Sequence, residues 1–526
     1  MRLTCARGLA MVAVAMLGLV APAAQAKTTL ALKPCRLKGV EHEALCGVLR
    51  RPLNPSQADG LQIDLHVAVL PAIARNKKPD PVLFFAGGPG QSAIALAGSL
   101  SRLLQRFLNR RDVILIDQRG TGDSAPLACE PDLPTKPLVE AIDPVRQAKQ
   151  LLQCREALQK LPYGDLKQFT TTIAMADADA VRQALGVAQV NVIGGSYGTR
   201  AALEYMRQFP RSVRRVVIDG VAPPDMALPG SFSPDAQRAF DALLAACESP
   251  DGDAGCRERY PGLRARFDAV LASLPREVAV AHPVTGREER FTLTRDMLSG
   301  LVRLPLYSPA LTAALPFAIS EAAAGRYGAI VGLASALGSN SRAMELAMGM
   351  HFSVVCAEDM PWLARRGDKP GADFGDTVLK VYRDACTTWP RADVPAAFYA
   401  LPPAPVGTLL LSGGADPVTP PRHGERVAQA LGAKARHVVV PNAGHGTLAL
   451  GCLRDVVFRF VDKDDEVAAL GAVQDDAACA AKIPRPLAFS LPTAPGAPAV
   501  TPPAAASAPL HAFPKPDDVP SSKADR

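Results

Sequence analysis

Three residues far apart in the chain have the types and the order needed for acyl transfer: Ser196, Asp416 and His445. Ser196 lies in Gly194-Gly195-Ser196-Tyr197-Gly198, a Gly-x-Ser-x-Gly turn. A serine hydroxyl is neutral at working pH and attacks a carbonyl only when a neighbouring base takes its proton. His445, in Gly444-His445-Gly446, is the candidate base. Asp416, in Gly414-Ala415-Asp416-Pro417-Val418-Thr419, is the candidate that orients the imidazole and stabilises its protonated form. Two other histidines lie nearby. His437 falls inside a predicted strand, and His423 comes too early in the order. The bland readings are a glycine-rich turn with an incidental serine, a turn aspartate and a loop histidine. Their weight falls because all three residues follow apolar strands.

Those strands must put the three side chains on one edge. Val190-Asn-Val-Ile193 runs into the serine turn, and a helix-compatible segment starts at Arg200. Pro81–Phe85 is a second buried-strand candidate, leading into Ala86-Gly87-Gly88-Pro89-Gly90. An N–H from Gly87 or Gly88, with that of Tyr197, is placed to hold a developing oxyanion. Asp112–Asp117 is a third strand; Arg119 and Asp123 after it read as turn residues before substrate contacts. Ala174–Leu185 is alanine-rich and predicts a helix, and Val213–Val221 predicts the next strand. Strands alternating with helices imply an α/β fold with a mostly parallel, doubly wound sheet. The alternation then breaks. Residues 222–404 are mainly helical, with one weak strand pair near Val278–Leu293, and read as a large cap insertion. The sheet pattern resumes at Val406–Leu411, a helix is expected over Gly424–Leu431, and a strand over Arg436–Val440.

The ends and the composition bound the compartment. Arg2 and Arg7, the apolar run Gly8–Val20 and Ala24-Gln25-Ala26 read as a signal peptide over 1–26. Cleavage takes the formal charge from +7 to +5, with no basic run for nucleic acid and no stable membrane anchor left. The core is expected in two parts, 27–221 and 405–490. The Pro- and Ala-rich residues 491–526 read as a disordered tail. Ten cysteines remain after the signal, in sequence-local twos: Cys35 and Cys46, Cys129 and Cys154, Cys247 and Cys256, Cys356 and Cys386, Cys452 and Cys479. Export and an even count suggest disulfides, with neighbour pairing as the expectation. No Cys-x-x-Cys occurs, and neither a metal nor a cofactor is called for.

Five motifs together resemble the α/β-hydrolase peptidase family of proline iminopeptidase and tripeptidyl aminopeptidase. They are Gly-Gly-Pro-Gly at 87–90, Asp-Gln-Arg-Gly-Thr-Gly at 117–122, the serine turn at 194–198, Gly-Ala-Asp-Pro-Val-Thr at 414–419 and Gly-His-Gly at 444–446. Cys452 and Cys479 look like the tripeptidyl aminopeptidase-type C-terminal segment. The resemblance implies an α/β-hydrolase fold and a serine aminopeptidase acting on short peptides, with cap acids that hold the substrate's ammonium; Glu358 and Asp359 are the candidates. The family often has histidine where Ala86 stands, and its tryptophan-rich patch has no counterpart beyond Trp362 and Trp389. The alternatives are an esterase or amidase on non-peptide substrates, and a catalytically silent binding protein on the same fold.

Overall fold

Strands and helices assemble around a nine-stranded sheet in the computed structural model, which describes residues 29–129, 135–338, 345–365 and 368–491. In chain order the strands are β1 (Lys33–Cys35), β2 (Ala44–Pro52), β3 (Gln62–Leu70), β4 (Val82–Phe85), β5 (Val113–Ile116), β6 (Val190–Gly195), β7 (Val213–Asp219), β8 (Arg276–Ala281), β9 (Glu288–Leu293), β10 (Thr408–Gly413) and β11 (Ala435–Val440). The large sheet runs β1-β2-β3-β5-β4-β6-β7-β10-β11. From β5 to β11 it is parallel, and β1, β2 and β3 add an antiparallel edge. The predicted leader and the tail from residue 492 lie outside the described residues.

Side-chain alternation sorts the strands onto two buried faces, as a period of two requires. Leu83, Phe85, Ile114 and Val192 pack against Ala178 and Val181 of the Thr171–Ala184 helix and against Ala202 and Tyr205 of the Tyr197–Gln208 helix. Val82, Phe84, Leu115 and Ile193 face the other way, onto Leu104 and Phe107 and onto Val456, Val457 and Phe460 of the Leu453–Asp462 helix. Both faces are covered, which is why β4 and β5 are apolar at every position. Thr170 caps the first of these helices, its hydroxyl accepting from the Ile173 N–H.

Between β7 and β10 the described residues form helices and one hairpin, β8–β9. This segment has its own apolar core, built from Phe240, Phe267, Leu298, Leu315 and Ile319. It meets the sheet through a small cluster in which Leu228 and Phe232 touch Val418, two residues past Asp416. Register sets the working edge. Phe85 lies beside Gly194, Gly195 beside Asp219, and Leu411 beside Asp219. The residues that follow β4, β6, β7 and β10 therefore emerge together at the carboxyl end of the sheet, where open α/β sheets bind ligands.

Candidate active site

Ser196 follows β6 in a conformation an L-residue rarely takes, with φ 55° and ψ −124°. Such strain persists only where the surroundings enforce it. A Cβ on Gly194 would lie 2.2 Å from the Gly198 carbonyl oxygen, and one on Gly198 would lie 2.1 Å from that of Phe85. Glycine at both positions is a steric necessity of the turn. The Ser196 N–H donates to the Asp219 carbonyl at 2.9 Å, which fixes the turn to the end of β7.

His445 lies across Asp219–Gly220 from that turn: a Cβ on Gly220 would sit 3.1 Å from His445 Cε1. Its Nδ1 is 2.8 Å from Asp416 Oδ2, so Nδ1 carries the donated proton and Nε2 is left as the basic atom. Asp416 is buried and fully engaged. Its Oδ1 accepts from the Val418 and Thr419 N–H groups, and its Oδ2 also accepts from the Thr419 hydroxyl. Burial works against the Asp416 charge, but the charge and hydrogen bond of His445, with these amides, hold its pKa below the ordinary value. Burial likewise works against a protonated His445. The charge and hydrogen bond of Asp416, with the Asp219 charge, nonetheless raise its pKa. The ring also stands edge-on to Tyr307, 5.4 Å between centroids, and the His445 N–H donates to the Tyr307 carbonyl.

The glycine loop after β4 lies against the serine: a Cβ on Gly87 would be 3.3 Å from Ser196 Cβ. Of the candidate oxyanion donors, the Gly87 N–H already donates to Gln91 Oε1 at 3.2 Å. The amides of Gly88 and Tyr197 are the other two candidates. The helical segment clamps this loop from outside. The Ala347 N–H donates to the Gly90 carbonyl, and His351 Nδ1 donates to the Pro89 carbonyl at 3.1 Å. His351 Nε2 then accepts from the Tyr382 hydroxyl at 2.8 Å.

Glu358 and Asp359, expected to meet a substrate ammonium, are placed differently. Both are fully buried in a π-type turn, Val355–Asp359, behind the serine helix. Asp359 takes a bidentate pair from Arg200, with both contacts at 2.9 Å, and accepts from the Leu228 N–H. Glu358 accepts from the Thr171 N–H and hydroxyl, and the same hydroxyl meets the Tyr197 hydroxyl at 2.7 Å. Burial pushes the Glu358 carboxyl up to about 7 against the pull of Arg200. These acids are occupied by an internal cation and internal donors, and neither presents an open carboxylate.

The rival histidines belong elsewhere. His437 meets Ser412 at 2.9 Å, and His423 meets Asp235 at 3.1 Å. Arg119 is a structural residue, buried between Asp177 and the carbonyls of Leu53 and Gln168. The five neighbour pairs of cysteines are disulfides in the structure. Among the described residues, no group of three His, Cys, Asp or Glu could hold a metal ion, and no helix is long and apolar enough to cross a membrane. Asp219 was missed from sequence. Its carboxylate accepts from the Thr447 and Leu448 N–H groups and the Thr447 hydroxyl, holding the loop just past His445. The signal available was an acid followed by Gly220 at a strand's carboxyl end.

Two family descriptions match the chain: "alpha/beta hydrolase fold" over residues 80–246 and "TAP-like protein" over residues 371–469. The serine protease Hip1 of Mycobacterium tuberculosis is 26% identical over 439 residues, covering 76% of this chain and 82% of that protein. The tripeptidyl aminopeptidase of Streptomyces coelicolor is 31% identical over 191 residues, covering 34% and 35%. The proline iminopeptidase of Arabidopsis thaliana is 27% identical over 189 residues, covering 34% and 38%. The first family match spans the glycine loop and the serine turn, and the second spans Asp416 and His445. The chain is a serine hydrolase of the α/β-hydrolase fold, and it is similar to the tripeptidyl aminopeptidases and proline iminopeptidases.

Proposed function

We propose that the protein is an exported serine aminopeptidase that releases residues or short peptides from free N-termini through an acyl-enzyme on Ser196. The observation that carries this reading is the His445–Asp416 pair, 2.8 Å apart, facing the strained serine turn across Asp219–Gly220. His445 Nε2 takes the Ser196 proton as Oγ attacks the carbonyl, then returns it to the leaving amine. The Gly88 and Tyr197 amides hold the oxyanion, each worth roughly 10²–10³ in turnover. Water repeats the sequence to free the acid. Five disulfides fit a chain that matures in an oxidising compartment.

The test is a panel of chromogenic amides, Pro-, Ala- and tripeptidyl-linked, each with a free or an acetylated N-terminus. Wild type is expected to cleave only the free-amine forms, and Ser196→Ala to cleave none and to resist fluorophosphonate labelling. Cleavage indifferent to acetylation would discard the aminopeptidase and keep the hydrolase. Unchanged turnover in Ser196→Ala would remove the nucleophile.

A further inference from the structure

Next to this site lies a cavity of about 300 Å³, walled by the Leu228–Glu248 helix, the Arg295–Arg303 helix and residues 368–379. One cation lines it, Arg303, which is half-buried. Its guanidinium carbon lies 5.3 Å from the Phe232 ring centroid and 6.0 Å from that of Tyr307, and the group donates weakly to the Tyr307 hydroxyl at 3.4 Å. Two residues link Arg303 to the candidate active site. Tyr307 is the residue whose ring and carbonyl hold His445, and Phe232 packs on Val418 beside Asp416.

Of the three acids that line the cavity, Asp376 and Asp368 are ion-paired. Asp376 pairs with Lys380 at 2.8 Å, and Asp296, at the exposed rim, lies in the field of the same lysine. Asp368 pairs with Arg422 at 3.7 Å. Among the described residues, no carboxylate lies within ion-pair distance of Arg303. A guanidinium within cation–π reach of two rings is restricted in its rotamers, and beyond the 3.4 Å contact to the Tyr307 hydroxyl its N–H groups remain for a ligand. It can therefore take a carboxylate through paired N–H groups with little further loss of entropy.

We propose that Arg303 is a carboxylate-binding residue of the substrate site, so that this enzyme favours short peptides carrying an anionic group beyond the scissile bond. This rests on the peptidase reading above. The anion is either the free C-terminus of the peptide or an acidic side chain; the chemistry at Arg303 is the same.

Binding to the full-length Ser196→Ala protein separates these sources without turnover. Trialanine, trialanine amide and Ala-Glu-Ala amide are titrated calorimetrically, with Arg303→Met and Arg303→Lys introduced into the same background. Methionine keeps an apolar stem against the two rings. A charge-assisted contact predicts that trialanine binds about 10-fold tighter than its amide. That preference should vanish with Met and survive in part with Lys. A gain confined to Ala-Glu-Ala amide assigns the anion to a side chain. Equal binding of all three peptides, no binding of any, or a preference that persists in Arg303→Met overturns the proposal. Wild-type turnover of the same peptides is read separately. If the binding preference stands but no peptide is cleaved, the peptidase reading fails and the carboxylate site remains.

Discussion

Two carboxylates act on the His445 imidazole from different strands. Asp416 bonds it directly, while Asp219 sits under the loop that follows and adds its charge. Activity needs the neutral ring, and both acids favour the protonated one. The acidic limb of kcat/KM is therefore expected above pH 6.5, the ordinary imidazole value. Asp219→Asn removes one of the two charges, so the limb should move to lower pH. The amide also cannot accept from three donors at once, so the loop loosens and kcat should fall about 10-fold. A pH–rate profile of the variant checks both effects; a limb that stays in place would confine Asp219 to a purely structural role. Ser196, Asp416 and His445 stand out in the sequence because each is flanked by glycine or proline after an apolar run, and the structure pairs His445 with Asp416. Asp219 does not, since nothing in Ile-Asp-Gly says that its carboxylate turns toward a loop 228 residues on. Glu358 and Asp359 misled for the same reason: their partners, Thr171 and Arg200, are brought to them only by the fold.

The helix behind the serine is fastened to the helical segment by Arg200, whose guanidinium is wholly buried and divides its contacts between Asp359, Glu358 at 3.6 Å and the carbonyls of Pro223 and Met226. Taking one partner out of a buried ion pair leaves its acceptors desolvated, and Arg200→Met is expected to cost about 3–5 kcal/mol. Replacing the pair together, Arg200→Met with Asp359→Leu, should recover a large part of that loss, because no orphaned acid remains at 359. Chemical denaturation of the two variants measures the difference; a double variant no more stable than the single would show that the pair is not the unit of the loss. The parallel strands β4, β5, β6, β7, β10 and β11 were legible in the sequence. The Thr171–Ala184 and Pro421–Leu431 helices begin three residues before their expected starts, where Thr170 and the Pro420-Pro421 step supply the start signals. How the helical segment docks was not, because its contacts are tertiary pairs such as Phe232 with Val418 and His351 with the Pro89 carbonyl.

Across the whole molecule the disulfides divide by position. Cys35–Cys46 joins β1 to β2 at the outer edge of the sheet, far in strand order from β6, β7 and β10. Cys356–Cys386 fastens the turn bearing Glu358 and Asp359 to the Thr377–Thr388 helix, which also carries Tyr382, the partner of His351. Each crosslink restricts the unfolded chain, by roughly 3 kcal/mol for the first, with a separation of 11, and slightly more for the second, with a separation of 30. Stability alone therefore does not distinguish them, but activity does. Replacing Cys35 and Cys46 by serine should lower the melting temperature and leave kcat/KM within about twofold, since nothing at the sheet's working edge moves. Replacing Cys356 and Cys386 should lower both, because the clamp on the Pro89 carbonyl and the acids behind the serine helix lose their fixed support. Titration of the native wild type with a thiol reagent should find none of the ten cysteines free, which secures the comparison. Equal loss of activity in the two double variants would mean that the disulfides act through global stability alone, and that the helical segment needs no covalent tie to keep the oxyanion loop in place.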